Sequence, residues 1–216
     1  MIYPENILIC IAVPLLIAVF FIKGGARKVV AAFVVGMLLC LLSAYIGGFF
    51  EYAFELASEE TSIFISPVLE EIAKLLPVLF ILLLFDATDD ELMLTAVGIG
   101  AGFATFENCC QLISAGSDSL VHILIRGFAA GVMHVVSIFA LSMALVALRH
   151  YRAATVPVVI GALSISVTFH ALYNLLVSES GISSYIGYVL PIAVAIVLAL
   201  IRKKKDEKEE MYEIYE

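Results

Sequence analysis

The sequence predicts an all-α fold, a polytopic transmembrane helix bundle of about seven spans. Of its 216 residues, 62% are hydrophobic and only 15% are charged, and the mean hydropathy is +1.07. These values lie well outside the range of soluble globular domains. Two further observations support a membrane protein, namely the lengths of the apolar runs and the positions of the basic residues between them.

The apolar residues fall into seven runs, and a helix needs about 20 such residues to cross a bilayer. The runs cover residues 6–22, 29–50, 63–85, 92–113, 121–148, 156–177 and 185–201. The segment before the first run has an acid and no base, unlike a cleaved signal peptide, so we expect the first run to be a retained span. Residues 1–201 are therefore predicted to form a single transmembrane domain.

The basic residues lie on one side of the predicted bundle. All but two of the twelve are in the connections after the first and fifth runs and in the C-terminal tail: Lys23, Arg27, Lys28, Arg149, Arg152, Arg202, Lys203, Lys204, Lys205 and Lys208. Lysine and arginine collect on the cytoplasmic side of membrane proteins. We therefore predict a multi-pass protein of the cell membrane with its N-terminus outside and its C-terminus in the cytoplasm.

The charged segment 202–216 is predicted to be a disordered cytoplasmic tail, because a basic membrane-flanking cluster is followed by an acidic end. The net charge of −8 and the absence of a basic face speak against nucleic acid as a partner. The lipid bilayer is the partner that the composition implies.

Away from the ends of the predicted spans, seven acidic, basic or imidazole side chains lie inside them. They are Glu70, Glu71, Lys74, Glu107, Arg126, His134 and His170. A charged group at the centre of a membrane helix costs roughly 2.5–3.5 kcal/mol on insertion scales. Such a set predicts a functional site.

These side chains are predicted to lie at similar depths. At about 1.5 Å per residue, Glu70 and Glu71 lie about 5 Å to the external side of their span centre. By the same measure Glu107 lies about 7 Å external, His134 near the centre and His170 about 5 Å external. Four helices thus bring acid or imidazole to one layer.

The spacing indicates which side chains share a helix face. Lys74 lies four residues after Glu70 and three after Glu71, and His170 and Asn174 are four apart. The two glutamates point about 100° apart, so we expect them to have different roles. Lys74 can neutralise one of them.

Proline and glycine predict the local shape of the helices around this layer. Pro67 and Pro77 remove hydrogen bonds on either side of the glutamates, so the third helix should kink or unwind there. Carbonyls freed in this way are tolerated where they line a cavity. Two pairs of glycines four residues apart predict close helix packing, Gly98 with Gly102 and Gly127 with Gly131.

Four motifs on successive helices resemble those of the PrsW intramembrane proteases, relatives of the CAAX prenyl-protease and bacteriocin-processing superfamily. They are "EEIAK" at 70–74, "GFATFEN" at 102–108, "RGFAAGVMH" at 126–134 and "HALYN" at 170–174. The resemblance covers roughly residues 66–177, and the core that bears the motifs is 63–177. One departure is Gln111, where family members often have an aromatic residue.

The resemblance implies hydrolysis of a peptide bond within or at the edge of the membrane, in a membrane-anchored protein substrate and near the extracytoplasmic side. It implies a catalytic set of Glu70, Glu71, His134, His170 and Asn174. Lys74, Glu107, Asn108 and Arg126 would support the substrate or the site.

Amide hydrolysis needs an activated water, a group that stabilises the oxyanion and a proton for the leaving nitrogen. We assign Glu70 as the base, with His134 and His170 around the water. In one mechanism the two histidines and either Glu71 or Glu107 bind zinc with an open position. In the other, Glu70 and His134 polarise water without metal while His170 and Asn174 hold the oxyanion. The sequence leaves both open.

Three other classes are compatible with part of the pattern. A proton- or cation-coupled transporter would use the same buried acids and histidines, but such folds usually contain internal repeats, which this sequence lacks. A retinal-type sensor would need a lysine in the seventh span, which has none. A non-catalytic relative would not need both glutamates and both histidines.

Overall fold

A computed structural model describes residues 3–85, 87–115, 120–148 and 155–215, and within these ranges the chain is helical, with no strand. The α-helices are α1 (Pro4–Phe21), α2 (Gly24–Phe54), α3 (Ser58–Glu60), α4 (Ser66–Leu84), α5 (Asp89–Ala115), α6 (Leu120–Leu148), α7 (Thr155–Ser178) and α8 (Ile182–Tyr215), and a π-helix, Thr61–Ile65, joins α3 to α4. Arg149 and Arg152 lie outside the described residues.

The predicted all-α polytopic bundle is confirmed. Among the described residues, six helices are long and apolar enough to cross a membrane: α1, α2, α5, α6, α7 and α8. The third predicted run corresponds to the continuous helical segment from α3 through α4. Three charged side chains, Glu70, Glu71 and Lys74, set α4 apart from the six.

The C-terminal segment differs from the sequence-based expectation. Instead of ending near residue 201, α8 continues as one helix through the charged residues to Tyr215. Glutamate and lysine are good helix formers, and Lys203 and Glu207 form an i,i+4 ion pair of 3.7 Å. The backbone of the predicted disordered tail is therefore an extension of the last helix.

Pro67 marks a change of helix type in front of the two glutamates. The Ser66 N–H donates to the Thr61 carbonyl five residues earlier, as in a π-helix. The next donor in that register would be the nitrogen of Pro67, which has no hydrogen. The prediction of an irregular helix is thus confirmed at Pro67, whereas α4 remains α-helical through Pro77.

Glycines bring α2 and α5 into backbone contact. A Cβ atom on Gly36 would lie 2.1 Å from the Ile99 carbonyl oxygen, and one on Gly102 would lie 1.9 Å from that of Phe33. No larger residue fits at these positions. We call this contact the α2–α5 seam. The prediction of close packing holds for Gly98 and Gly102, whereas Gly131 meets no neighbouring atom within 4 Å.

The bundle has an outer end, which we define by the first residue of α1, Pro4, and the last residue of α7, Ser178. Helices α4 to α7 surround the buried polar side chains, and a cavity of about 650 Å³ extends from them to this end. The wall of the cavity includes residues from α1, α2 and α8 as well.

Candidate active site

A layer of buried polar side chains joins α4, α6 and α7. Glu71, Lys74 and His134 are fully buried, and His170 is 2% exposed. Because unpaired polar groups are costly inside a membrane protein, their hydrogen-bond partners indicate what each one does.

The carboxylate of Glu71 is occupied by partners from three helices. Its Oε1 accepts from Lys74 Nζ at 2.5 Å and from Ser137 Oγ at 3.2 Å, and it contacts His170 Nδ1 at 2.8 Å. Its Oε2 accepts from Ser166 Oγ at 2.9 Å. This carboxylate is therefore held in place and has little capacity left for a substrate or a water.

The ammonium of Lys74 has three protons and three polar neighbours. Besides Glu71, its Nζ lies 3.1 Å from His134 Nδ1 and 3.3 Å from Ser137 Oγ. The same nitrogen lies 5.1 Å from the centre of the Phe103 ring. A protonated lysine can only donate, so His134 Nδ1 accepts from it and the proton of the neutral ring is on Nε2.

The other nitrogen of His134 faces the cavity. Its Nε2 lies 2.5 Å from Glu107 Oε2, and Glu107 Oε1 accepts from Gln111 Nε2 at 2.7 Å. Glu107 is partly exposed and lines the cavity. His134 thus connects the buried lysine with a carboxylate at the cavity wall.

Glu70 faces the cavity, unlike Glu71. Its Oε2 is buried and has no hydrogen-bond partner among the described residues, and it lies 3.7 Å from His170 Nε2. Since His170 Nδ1 donates to Glu71, the lone pair of its Nε2 points towards Glu70. Ligand atoms of Glu70, His134 and His170 all lie within 4.8 Å of one another.

This arrangement fits a divalent metal ion. Two ligand atoms of a tetrahedral zinc ion are about 3.5 Å apart, close to the separation between Glu70 and His170. The orphaned oxygen of Glu70 and the hydrogen bond from His170 to Glu71 are both features of metal sites. Binding at His134 Nε2 requires that the proton on this nitrogen leave and, for the ring to stay neutral, that Nδ1 take a proton from Lys74, which then becomes a neutral amine.

The two predicted asparagines contact backbone carbonyls. Asn108 Nδ2 donates to the Gly127 carbonyl at 3.1 Å, which connects α5 to α6. Asn174 Nδ2 donates to the Ser62 carbonyl at 2.9 Å. In the π-helical pattern the Ser62 carbonyl would accept from residue 67, which is a proline and has no N–H. The Asn174 amide takes the place of this missing donor.

The structure thus brings most of the predicted site residues together. Glu70, Glu71, Lys74, Glu107, His134 and His170 form one connected group. Asn174 and Arg126 line the same cavity as Glu70, nearer the outer end, whereas Asn108 lies between two helices.

Sequence reasoning missed four side chains at this site: Ser137, Ser166, Gln111 and Tyr173. Each lies three or four residues from a predicted site residue on the same helix: Ser137 from His134, Ser166 and Tyr173 from His170, and Gln111 from Glu107. Helical spacing could therefore have found them. Serine and tyrosine are common in membrane helices, however, so their residue types alone gave no signal.

The comparisons with known proteins agree with this geometry. The sequence matches the PrsW family of intramembrane metalloproteases over residues 24–201, which includes every residue of the site. A search of the curated proteins and a search of the solved structures each gave no match. From the extent of the match, this chain belongs to the PrsW family of intramembrane metalloproteases and is a multi-pass membrane peptidase.

Proposed function

We propose that this peptidase hydrolyses a peptide bond of a membrane-anchored protein near the extracytoplasmic side of the cell membrane. The observation that carries the proposal is the unpartnered Glu70 carboxylate oxygen, buried beside two imidazoles at the inner end of a cavity. Among the described residues, Lys23, Arg27, Lys28 and Arg202 lie at the opposite end of the bundle, which supports an extracytoplasmic location for the outer end.

Glu70 is the group that we assign to the attacking water. Its Oε2 accepts no hydrogen bond from the described part of the protein, so it is free to accept a proton from water held between it and the two histidines. Glu107 already contacts His134 and Gln111, and both oxygens of Glu71 are occupied. Glu71 is then the residue that orients His170.

A divalent metal ion, with zinc as the candidate, would be held by His134 and His170 together with a cavity carboxylate. This carboxylate is Glu107 if Glu70 acts as the base, and Glu70, whose ligand atom lies within 4.8 Å of those of both histidines, is the alternative ligand. When bound, the ion would polarise the scissile carbonyl and make the attacking water more acidic. Lys74 and Glu71 fix the two imidazoles through their Nδ1 atoms, so that both Nε2 atoms face the same space.

Asn174 supports the site by holding the π-helix against α7, one helical turn from His170. Its side chain also lines the cavity, where an amide N–H can donate to a substrate carbonyl as that oxygen becomes negative. A substrate segment entering from the outer end would pass Asn174 before it reached Glu70.

The decisive variant is Glu70→Gln, which keeps the shape of the side chain and removes its basicity. We expect cleavage of a single-span reporter, measured in proteoliposomes, to fall about 10²–10⁴-fold. Glu91→Gln is the matched control, because Glu91 pairs with Lys28 at the opposite end of the bundle. Cleavage at the wild-type rate by Glu70→Gln would contradict the assignment.

The metal content of the same samples shows whether Glu70 is the base or a metal ligand. If Glu70 takes the proton from water, the purified Glu70→Gln protein retains the metal found in the wild type. Loss of the metal together with the activity would show that Glu70 is a metal ligand, and the role of base would then be assigned to Glu107. Proton or cation flux through the wild type, with no cleavage of any reporter, would instead favour a transporter.

A further inference from the structure

The outer part of the cavity contains a cation and a hydroxyl group that have no hydrogen-bond partner among the residues that the structure describes. Arg126 lines the cavity, and no hydrogen bond or ion pair joins its guanidinium to another described residue. Tyr173, which is only 3% exposed, also lines the cavity, and its hydroxyl group has no hydrogen-bond partner in the described part of the chain. Buried polar groups in membrane proteins normally find partners.

These two groups belong to one place in the molecule. Tyr173 packs against α6 in one cluster with Ala130 and Met133, and Arg126 lies one helical turn before Ala130. Arg126, Ala130 and His134 are four residues apart on the face of α6 that lines the cavity. Arg126 and Tyr173 are therefore neighbours on the wall between the reaction centre and the outer end.

No described acid contacts Arg126. Glu107, which lines the same cavity, is in contact with His134 and Gln111 instead. Glu71 is enclosed by its own four partners. A guanidinium with a free face and an adjacent phenol hydroxyl form a donor set that suits a carboxylate.

We propose that Arg126 and Tyr173 form a subsite that binds a carboxylate of the substrate. This inference rests on the proposed function and extends it to the choice of substrate. The peptidase selects segments with an acidic group on the outer side of the scissile bond, where Arg126 pairs with the carboxylate and Tyr173 donates a hydrogen bond to it.

The helix geometry predicts where this acidic group lies. Arg126 is eight residues before His134, which is about 12 Å along α6 at about 1.5 Å per residue. An extended peptide advances about 3.3–3.6 Å per residue. The carboxylate should therefore be about three or four residues from the scissile bond.

The test compares single-span reporters that carry glutamate or glutamine at each of the first five positions on the outer side of the bond. For the wild type we expect kcat/KM to be at least about tenfold higher for glutamate than for glutamine at the third or fourth position. Equal cleavage of the two reporters at every position would overturn the proposal without the use of any variant.

Variants then assign the preference to the two side chains. We expect Arg126→Gln to abolish the glutamate preference and Arg126→Glu to favour a reporter with lysine at the same position. Tyr173→Phe should reduce the preference by about fivefold. The matched control is Lys28→Gln, which removes a cation paired with Glu91 at the opposite end. A preference that survives in Arg126→Gln would overturn the proposal.

A carboxylate can come from a side chain or from the end of the substrate chain. Reporters that end in a free acid or in an amide four residues beyond the bond distinguish these sources. A preference for the internal glutamate assigns the subsite to a side chain, and a preference for the free acid assigns it to a chain end. Either preference supports the proposal, provided that it depends on Arg126.

A binding measurement separates this inference from the proposed function. Fluorescent peptides with glutamate or glutamine at the selected position are titrated against the Glu70→Gln protein in detergent. We expect the glutamate peptide to bind at least about tenfold more tightly, and Arg126→Gln to remove the difference. Selective binding by Glu70→Gln together with no cleavage of any reporter by the wild type would refute the peptidase mechanism alone, whereas equal binding of both peptides would refute the subsite.

Discussion

The α2–α5 seam and the cavity between α4, α6 and α7 use buried positions in opposite ways. At the seam, a Cβ on Gly102 would overlap the Phe33 carbonyl, so no space is left. At the cavity, Glu70 and Tyr173 have polar atoms that no described residue binds, beside an open volume of about 650 Å³. The seam therefore fixes the distances between helices, whereas the cavity leaves polar groups available to bind a substrate.

Helix α5 connects these two regions. Besides its contact with α2, it approaches α6 at Gly100, where a Cβ would lie 2.8 Å from the Val135 Cα. Val135 is next to His134, and Glu107 on the same helix α5 contacts the His134 ring. The close contacts of α5 therefore fix the distance between a carboxylate and an imidazole of the site.

The largest effect is expected at the buried hydrogen-bond network of Glu71 and Lys74, which lies behind the cavity. We expect Lys74→Met to lower the free energy of unfolding by about 3–5 kcal/mol, because Glu71 becomes a buried carboxylate without its counter-charge. Denaturant unfolding in detergent measures the effect. Lys28→Met, which removes an exposed cation, is the control and should cost about 0–1 kcal/mol.

The double variant Glu71→Gln with Lys74→Met should recover part of this stability, since it removes both charges. It should not recover cleavage, because His134 loses its partner at Nδ1 and His170 donates to a neutral amide oxygen instead of a carboxylate. Full activity in the double variant would show that the network has no part in orienting the histidines.

The seam should tolerate less added volume than any other part of the bundle. We expect Gly102→Ala to lower the free energy of unfolding by about 1–3 kcal/mol, because the added methyl group meets backbone atoms that cannot rotate away. Gly48→Ala is the matched control, since a Cβ there meets nothing within 4 Å. Equal stability of the two variants would contradict the view of the seam as a rigid contact.

The smallest expected effect is that of Ser166→Ala, which removes one hydrogen bond to Glu71 Oε2. The free energy of unfolding should fall by about 1 kcal/mol. If Ser166 also helps to orient His170 through Glu71, kcat should fall while KM and metal content stay constant. A change in KM alone would assign Ser166 to substrate binding and contradict this role.

The helices were predictable from the sequence because hydropathy and helix length are local properties. The predicted runs 92–113 and 121–148 lie within a few residues of α5 and α6. The continuation of α8 was not predicted, because a run of mixed charges is compatible with both a solvated helix and a disordered tail.

The sequence predicted which residues form the site better than it predicted their hydrogen-bond partners. The 100° between Glu70 and Glu71 correctly implied different environments for them. Which glutamate would face the cavity depends on the rotation of α4 about its axis, and this rotation is set by Ser137 and Ser166 on other helices. Such contacts between distant residues leave no periodic trace in the sequence.

The hydrogen bond from Asn174 to the Ser62 carbonyl limits how the molecule can open. A movement that separates the π-helix from α7 would leave this oxygen without its side-chain donor at the wall of the cavity. The amide of Asn174 therefore links the two segments. Entry of a substrate between them would break this bond, and an N–H of the incoming chain can take its place.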